Sequence, residues 1–106
     1  MTDKKYILQR IKDSVLQTEP GATVILYGSY ARGEEREDSD IDILILIDSE
    51  KDKVFRDEKI KITYPICRLE IETDTIISPV VYTKRGWANH RVTPYYENVN
   101  KEGIVL

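Results

Sequence analysis

The chain of 106 residues predicts an α/β (α+β) domain in which a small mixed β-sheet is flanked by helices. Three observations carry that reading. Residues 3–18 repeat apolar side chains at three- and four-residue steps. Residues 23–28 and 39–48 are short, β-rich apolar runs. The elements then follow as helix, strand, turn, strand, helix, strand, helix. The length suits one domain over 1–106, with a single modest core and no room for a second.

Each element has a local reason. In 3–18, Tyr6, Ile7, Ile11, Val15 and Leu16 are interleaved with Lys, Arg, Asp and Gln, the stripe of an amphipathic helix. Pro20 and Gly21 stop it. "TVILYG" (23–28) reads as a buried strand. In "SYARGEERED", Ser29 is placed to begin a short helical turn, and the charged remainder is a solvated loop. "SDIDILILID" is the strongest strand in the chain. Asp40, Asp42, Leu44 and Leu46 fall on one face, and Ile41, Ile43, Ile45 and Ile47 on the other. Beyond Asp42 both faces are apolar, which predicts a central strand covered on each side. "SEKDKVFRDEKIKI" (49–62) reads as a polar helix with a weak apolar stripe, and Pro65 divides it from a second helical piece near 64–73. "TIISPVVYT" (75–83) is a third strand. "RGWANHRVTPYYENVNKEGIVL" closes the chain with one or two short helices and an apolar tail. Ile104, Val105 and Leu106 would then be buried in the core or against another chain.

Composition narrows the function classes. With 41% hydrophobic and 33% charged residues the chain is globular, and no apolar run approaches the roughly 20 residues that span a bilayer. The opening "MTDKKYILQR" lacks the apolar core of a secretory signal, so the expected location is cytoplasmic. One cysteine, Cys67, excludes an internal disulfide and a multi-cysteine zinc site, and it reads as a packing residue. A net charge of −3 argues against a broad basic surface for nucleic acid. Trp87, Tyr95 and Tyr96 either stack on a base or pack a small core, the latter being the expectation. His90 reads as a surface residue.

The chemistry lies in residues 28–42. Carboxylates in a strand mouth are unfavourable unless something compensates them, and a bound cation does so. Asp40 and Asp42, two residues apart, point to the same side and can ligate one hard divalent cation or bridge two. Gly28 lets the backbone approach a phosphate, and Ser29 offers a hydroxyl and an amide at a helical N-terminus, which favours anions. A metal pair beside a phosphate cradle makes a phosphoryl-transfer site.

"GSYARGEEREDSDIDILILID" resembles the signature of the DNA polymerase β-like nucleotidyltransferase superfamily, a Gly-Ser followed ten residues later by Asp-x-Asp. The small size resembles its minimal branch, bacterial and archaeal single-domain proteins often paired with helical HEPN-type partners. The resemblance implies a nucleotidyltransferase fold that moves a nucleoside monophosphate from an NTP to a hydroxyl acceptor, with pyrophosphate leaving. It implies that Gly28 and Ser29 hold the β- and γ-phosphates, that Arg32 assists the triphosphate, and that Asp40 and Asp42 bind two Mg²⁺ (or Mn²⁺) ions. Arg32 has an equal alternative as a solvent-facing partner of Glu34 or Glu35. The family's third carboxylate lies on the next strand, where Ser78 is the best-aligned position. Asp74 is the closest substitute as a third catalytic acid, with Glu72 and Glu70 behind it; a capping or solvated Asp74 is the competing account. Two function classes follow. One is a working enzyme whose acceptor is a tyrosine on a HEPN-type toxin, a small molecule such as an aminoglycoside, or an RNA end. The other is a catalytically weakened, antitoxin-like module that binds nucleotide or partner by contact alone. The expected partners are an NTP and either a helical HEPN-type protein or a second copy of the chain, with no membrane and nucleic acid not favoured.

Overall fold

The computed structural model describes residues 3–106. Helix α1 (Lys4–Thr18) starts where the Asp3 carboxylate accepts the Lys5 N–H, and it buries Ile7, Ile11 and Val15. Strand β1 (Thr23–Tyr27) leads into α2 (Ser29–Arg32), a single turn closed by Gly33. The next strand, β2 (Ile41–Ile47), is buried along all its length except at Asp42. Helix α3 (Arg56–Thr73) and strand β3 (Ile77–Thr83) follow. Helices α4 (Lys84–Ala88) and α5 (Pro94–Glu102) precede a two-residue strand, β4 (Ile104–Val105).

The four strands form one mixed sheet in the order β3-β2-β1-β4. β1 pairs antiparallel with β2 and with β4, while β2 and β3 are parallel, joined by the α3 crossover. Both faces of β2 are covered, as its sequence requires. Ile41, Ile43, Ile45 and Ile47 pack with Val24 and Leu26 beneath α1 and α3. Leu44 and Leu46 pack beneath Trp87 and Val99 on the opposite face. Pro79 lies in β3, an edge strand where a missing N–H breaks no central ladder.

Four sequence expectations need correction. Pro65 does not divide the second helical region: α3 runs 18 residues straight through it. Ile62, Ile66 and Leu69 all fall on the core face, and their burial outweighs the one lost backbone bond. The helix also begins later than Ser49. Residues 49–55 form a loop, because their charged run brings no side chain to the core before Val54. Cys67 is exposed rather than packed. It belongs with Ile60, Tyr64 and Ile71 to a stripe on the solvent side of α3, opposite its core face. Finally, the apolar tail enters the core only at Leu106, as expected; Ile104 and Val105 form an edge strand outside the core of this chain, on the face where another chain was the alternative cover.

Candidate active site

The site sits at one end of the two inner strands, where β1 ends and β2 begins. Tyr27 lies opposite Asp42 in the antiparallel ladder, and Ser78 lies opposite Asp42 on the parallel side. Asp42 is therefore flanked on its own face by a phenol and a hydroxyl. Its face-mate Asp40 is exposed, and its Oδ2 accepts the Ser78 hydroxyl at 3.2 Å. The loop between α2 and β2 is tied to α1 by the Lys4–Glu35 ion pair at 2.7 Å, and Lys4 also donates to the Tyr30 carbonyl.

Gly28 makes the closest approach to the aspartates. Its backbone adopts φ 76 and ψ −156, a conformation open in practice only to glycine. A Cβ at Gly28 would collide with Oδ2 of Asp42. The Gly-Ser turn and the Asp-x-Asp strand are thus in contact through this pair of residues. The helix-dipole part of the sequence argument is weaker, because α2 is only four residues long. The positive groups at this turn are therefore individual N–H groups and the Arg32 guanidinium rather than a helix dipole.

Electrostatics follow from this crowding. Desolvation, then the neighbouring charge of Asp40, raise the Asp42 pKa above the ordinary carboxylate value; Arg32 opposes the rise and Glu102 adds to it. Glu102 is a residue the sequence argument missed. Its Oε1 accepts the Gly28 N–H at 3.2 Å, and its Oε2 accepts the Arg32 guanidinium at 2.8 Å. The Arg32 bond, with help from the Gly28 amide, holds the Glu102 pKa below its usual range. Arg32 also donates to Glu34 at 3.0 Å, so the expected solvent-side partner is present beside the one at the site. Nothing local in "KEGIVL" marks Glu102; only the pairing of β4 with β1 brings it there.

The structure therefore gathers Gly28, Arg32, Asp40 and Asp42, with Ser29 adjacent in the chain. It places Ser78 opposite Asp42, the seat where a third carboxylate was sought. Asp74 is elsewhere: it caps α3 in the left-handed conformation at φ 51 and is exposed, three residues before β3. Glu70 accepts the Ile77 N–H, and Glu72 pairs with Arg10. Among the described residues no group of three His, Cys, Asp or Glu side chains gathers to hold a metal. The aromatic residues pack as expected. Trp87 is buried and contacts Tyr82, Tyr95 and Tyr96, while the Tyr95 hydroxyl donates to Tyr27 at 2.9 Å. His90 stacks on Trp87, half-buried rather than on the open surface.

Comparison with known proteins places the chain in a family. Residues 8–92 match the family model of the nucleotidyltransferase domain. The chain is 46% identical over 61 residues to "Putative protein adenylyltransferase MJ0141" of Methanocaldococcus jannaschii, covering 58% of this chain and 59% of that relative. "Putative protein adenylyltransferase MJ1379" of the same organism is 30% identical over 105 residues, which is 99% of this chain and 95% of the relative. In fold, the chain is similar to a crystal structure of a toxin–antitoxin with AMP-PNP. The TM-score is 0.65 at 19% identity, over 92% of this chain and 69% of that one.

Proposed function

This chain belongs to the nucleotidyltransferase domain family, and on that premise we propose that it moves adenylate from ATP to a hydroxyl on a protein partner, with a divalent metal. The observation that carries the proposal is the contact between Gly28 and Asp42, with Asp40 on the same face and Arg32 alongside. That contact puts a backbone able to approach phosphate against a carboxylate able to hold a cation. The protein adenylyltransferase names of the relatives support adenylate and a protein acceptor.

The donor set fits Mg²⁺ or Mn²⁺. Two hard carboxylates on one face suit Mg²⁺, which is usually held by one or two carboxylates and completed by water and substrate phosphates. When bound, the metal would neutralise charge on the phosphates and on the acceptor oxygen. Asp40 and Asp42 would hold it, and the elevated pKa of Asp42 would be relieved by a nearby positive charge. Gly28 and Ser29 cradle the β- and γ-phosphates, and Arg32 balances their charge. The acceptor hydroxyl oxygen bonds the α-phosphorus and its proton passes to water, while the bond from the α-phosphorus to the α,β-bridging oxygen breaks and pyrophosphate leaves.

The stripe of Ile60, Tyr64, Cys67 and Ile71 supports a helical protein partner. Its i, i+4, i+7, i+11 spacing is the seam a facing helix fills, and it stands open to solvent. A HEPN-type toxin is the proposed partner, and an intracellular setting follows from it. A second reading is favoured by one observation: Ser78, uncharged, faces Asp42 where a third carboxylate is expected. On that reading the chain masks its partner by contact and transfers nucleotide slowly or not at all.

Co-expression with the neighbouring gene product separates the two. The wild type should add 329 Da of adenylate, about the mass expected from AMP transfer with loss of water, to the partner in a Mg²⁺-dependent manner. The Asp40→Asn, Asp42→Asn double variant should leave the partner unmodified and unneutralised. Neutralisation that survives in the double variant, on an unmodified partner, establishes masking and overturns the transferase reading.

A further inference from the structure

We propose that Glu102 is a further residue of the nucleotide site: an internal carboxylate that occupies the phosphate cradle and is exchanged for the triphosphate when a nucleotide binds. The proposal rests on the nucleotidyltransferase reading and deepens it. Glu102 is the last residue of α5, yet it satisfies two donors at the far end of β1, the Gly28 N–H at 3.2 Å and the Arg32 Nη1 at 2.8 Å. Those are the donors that the nucleotide reading assigns to the triphosphate.

The fold delivers Glu102 there by register. Ile104 pairs with Leu26, so the residue two before Ile104 comes level with the residue two beyond Leu26, which is Gly28. On one side Glu102 is held by α5, with the Gly103 N–H donating to the Val99 carbonyl at 2.7 Å. On the other it is held by β4 and by the Leu106 N–H donating to the Val24 carbonyl at 2.8 Å. The carboxylate is thus anchored at both ends of its own segment and reaches across to the Gly-Ser turn.

Occupancy is exclusive. A backbone N–H is one donor, so the Gly28 amide serves either the carboxylate or a phosphate oxygen. Carboxylate and phosphate compete for the same guanidinium by the same charge-assisted hydrogen bonds. A ligand must bring enough acceptors and charge to replace both bonds, which a triphosphate does better than a monophosphate. Glu102 therefore satisfies the cradle in the free protein and lowers the apparent affinity for nucleotide by the fraction of time it is seated.

The test is calorimetric titration of wild type and Glu102→Gln with ATP and Mg²⁺. Losing the carboxylate's charge should tighten ATP binding about tenfold, the scale set by competition with a charge-assisted hydrogen bond. In the wild type, NMR resonances provide a second readout that needs no variant. ATP should shift the Gly28 amide and also the side-chain carboxylate carbon of Glu102, which loses its two donors. Equal or weaker ATP binding by a folded Glu102→Gln protein overturns the exchange and makes Glu102 a support of the cradle. If that variant does not fold, an unmoved Glu102 carboxylate resonance in ATP-saturated wild type overturns it. Failure of both proteins to bind ATP overturns the nucleotide reading itself, and the exchange with it.

Discussion

The contact between Gly28 and Asp42 makes a quantitative prediction, because a second glycine provides its control. Gly28 and Gly33 bracket α2, and both have positive φ, 76 and 72. An added Cβ at Gly33 meets nothing within 4 Å, whereas at Gly28 it collides with the Asp42 carboxylate. Gly33→Ala thus carries only left-handed backbone strain, about 1 kcal/mol. Gly28→Ala carries the strain of a conformation almost confined to glycine, about 1–3 kcal/mol, and overpacking against Asp42 of about the same size. For a domain of this length each kcal/mol lowers Tm by about 4–8 °C. Gly28→Ala should therefore melt at least about 8 °C below wild type, and Gly33→Ala about 5 °C below. The decisive measurement is the double-mutant cycle with Asp42→Ala, by urea denaturation. Without the carboxylate the added methyl has room, so the cost of Gly28→Ala should fall by about 1–3 kcal/mol. Equal destabilisation by the two glycine variants, or a cycle with no coupling, would show that Gly28 and Asp42 are not in contact and would remove the main support for the site.

Two further predictions concern the scaffold. Pro65→Ala restores a backbone donor inside α3, and a helix-interior proline is about 3 kcal/mol worse than alanine. After allowance for lost ring packing, the denaturation midpoint should rise by an amount worth about 1–2 kcal/mol, and a fall would mean that the ring is needed in the packing between α1 and α3. Tyr95 and Tyr27 have pKa values raised above the ordinary 10.0, mainly by burial. An acid whose folded pKa is raised contributes stability below its unfolded pKa and loses it as pH climbs beyond. The protein should therefore lose stability as pH rises above 10, measured by chemical denaturation at stepped pH, and Tyr95→Phe should flatten that loss. An unchanged alkaline profile in Tyr95→Phe would exclude the tyrosine pair as its source.

Much of the site was legible because it depends on short-range geometry. A strand turns its side chains over every second residue, so Asp40 and Asp42 had to share a face with Leu44 and Leu46 once β2 was recognised. The glycine between an apolar strand and a polar turn suggested room for a phosphate; that its nearest side chain is Asp42 was not legible in the sequence. Pro65 misled for a related reason. Its local preference is strong, but three core contacts on one face of α3 are stronger, and they are visible only when the sheet is present. Cys67 misled because its type is usually buried, whereas its angular position on α3 points to solvent.

The sequence by itself determined the order of elements as far as β3, the two-faced central strand and the facing of its two aspartates, since periodicity is set by covalent geometry and travels with any fold the chain adopts. Only the tertiary structure decided which distant groups meet that pair. Ser78 came level with Asp42 through the parallel register of β3, and Glu102 reached Gly28 across 74 residues through the antiparallel register of β4. Strand register is chosen by the packing of whole faces against helices, a sum over many side chains. No short stretch of residues contains that sum, so the most informative contact in the molecule had no signature in the sequence.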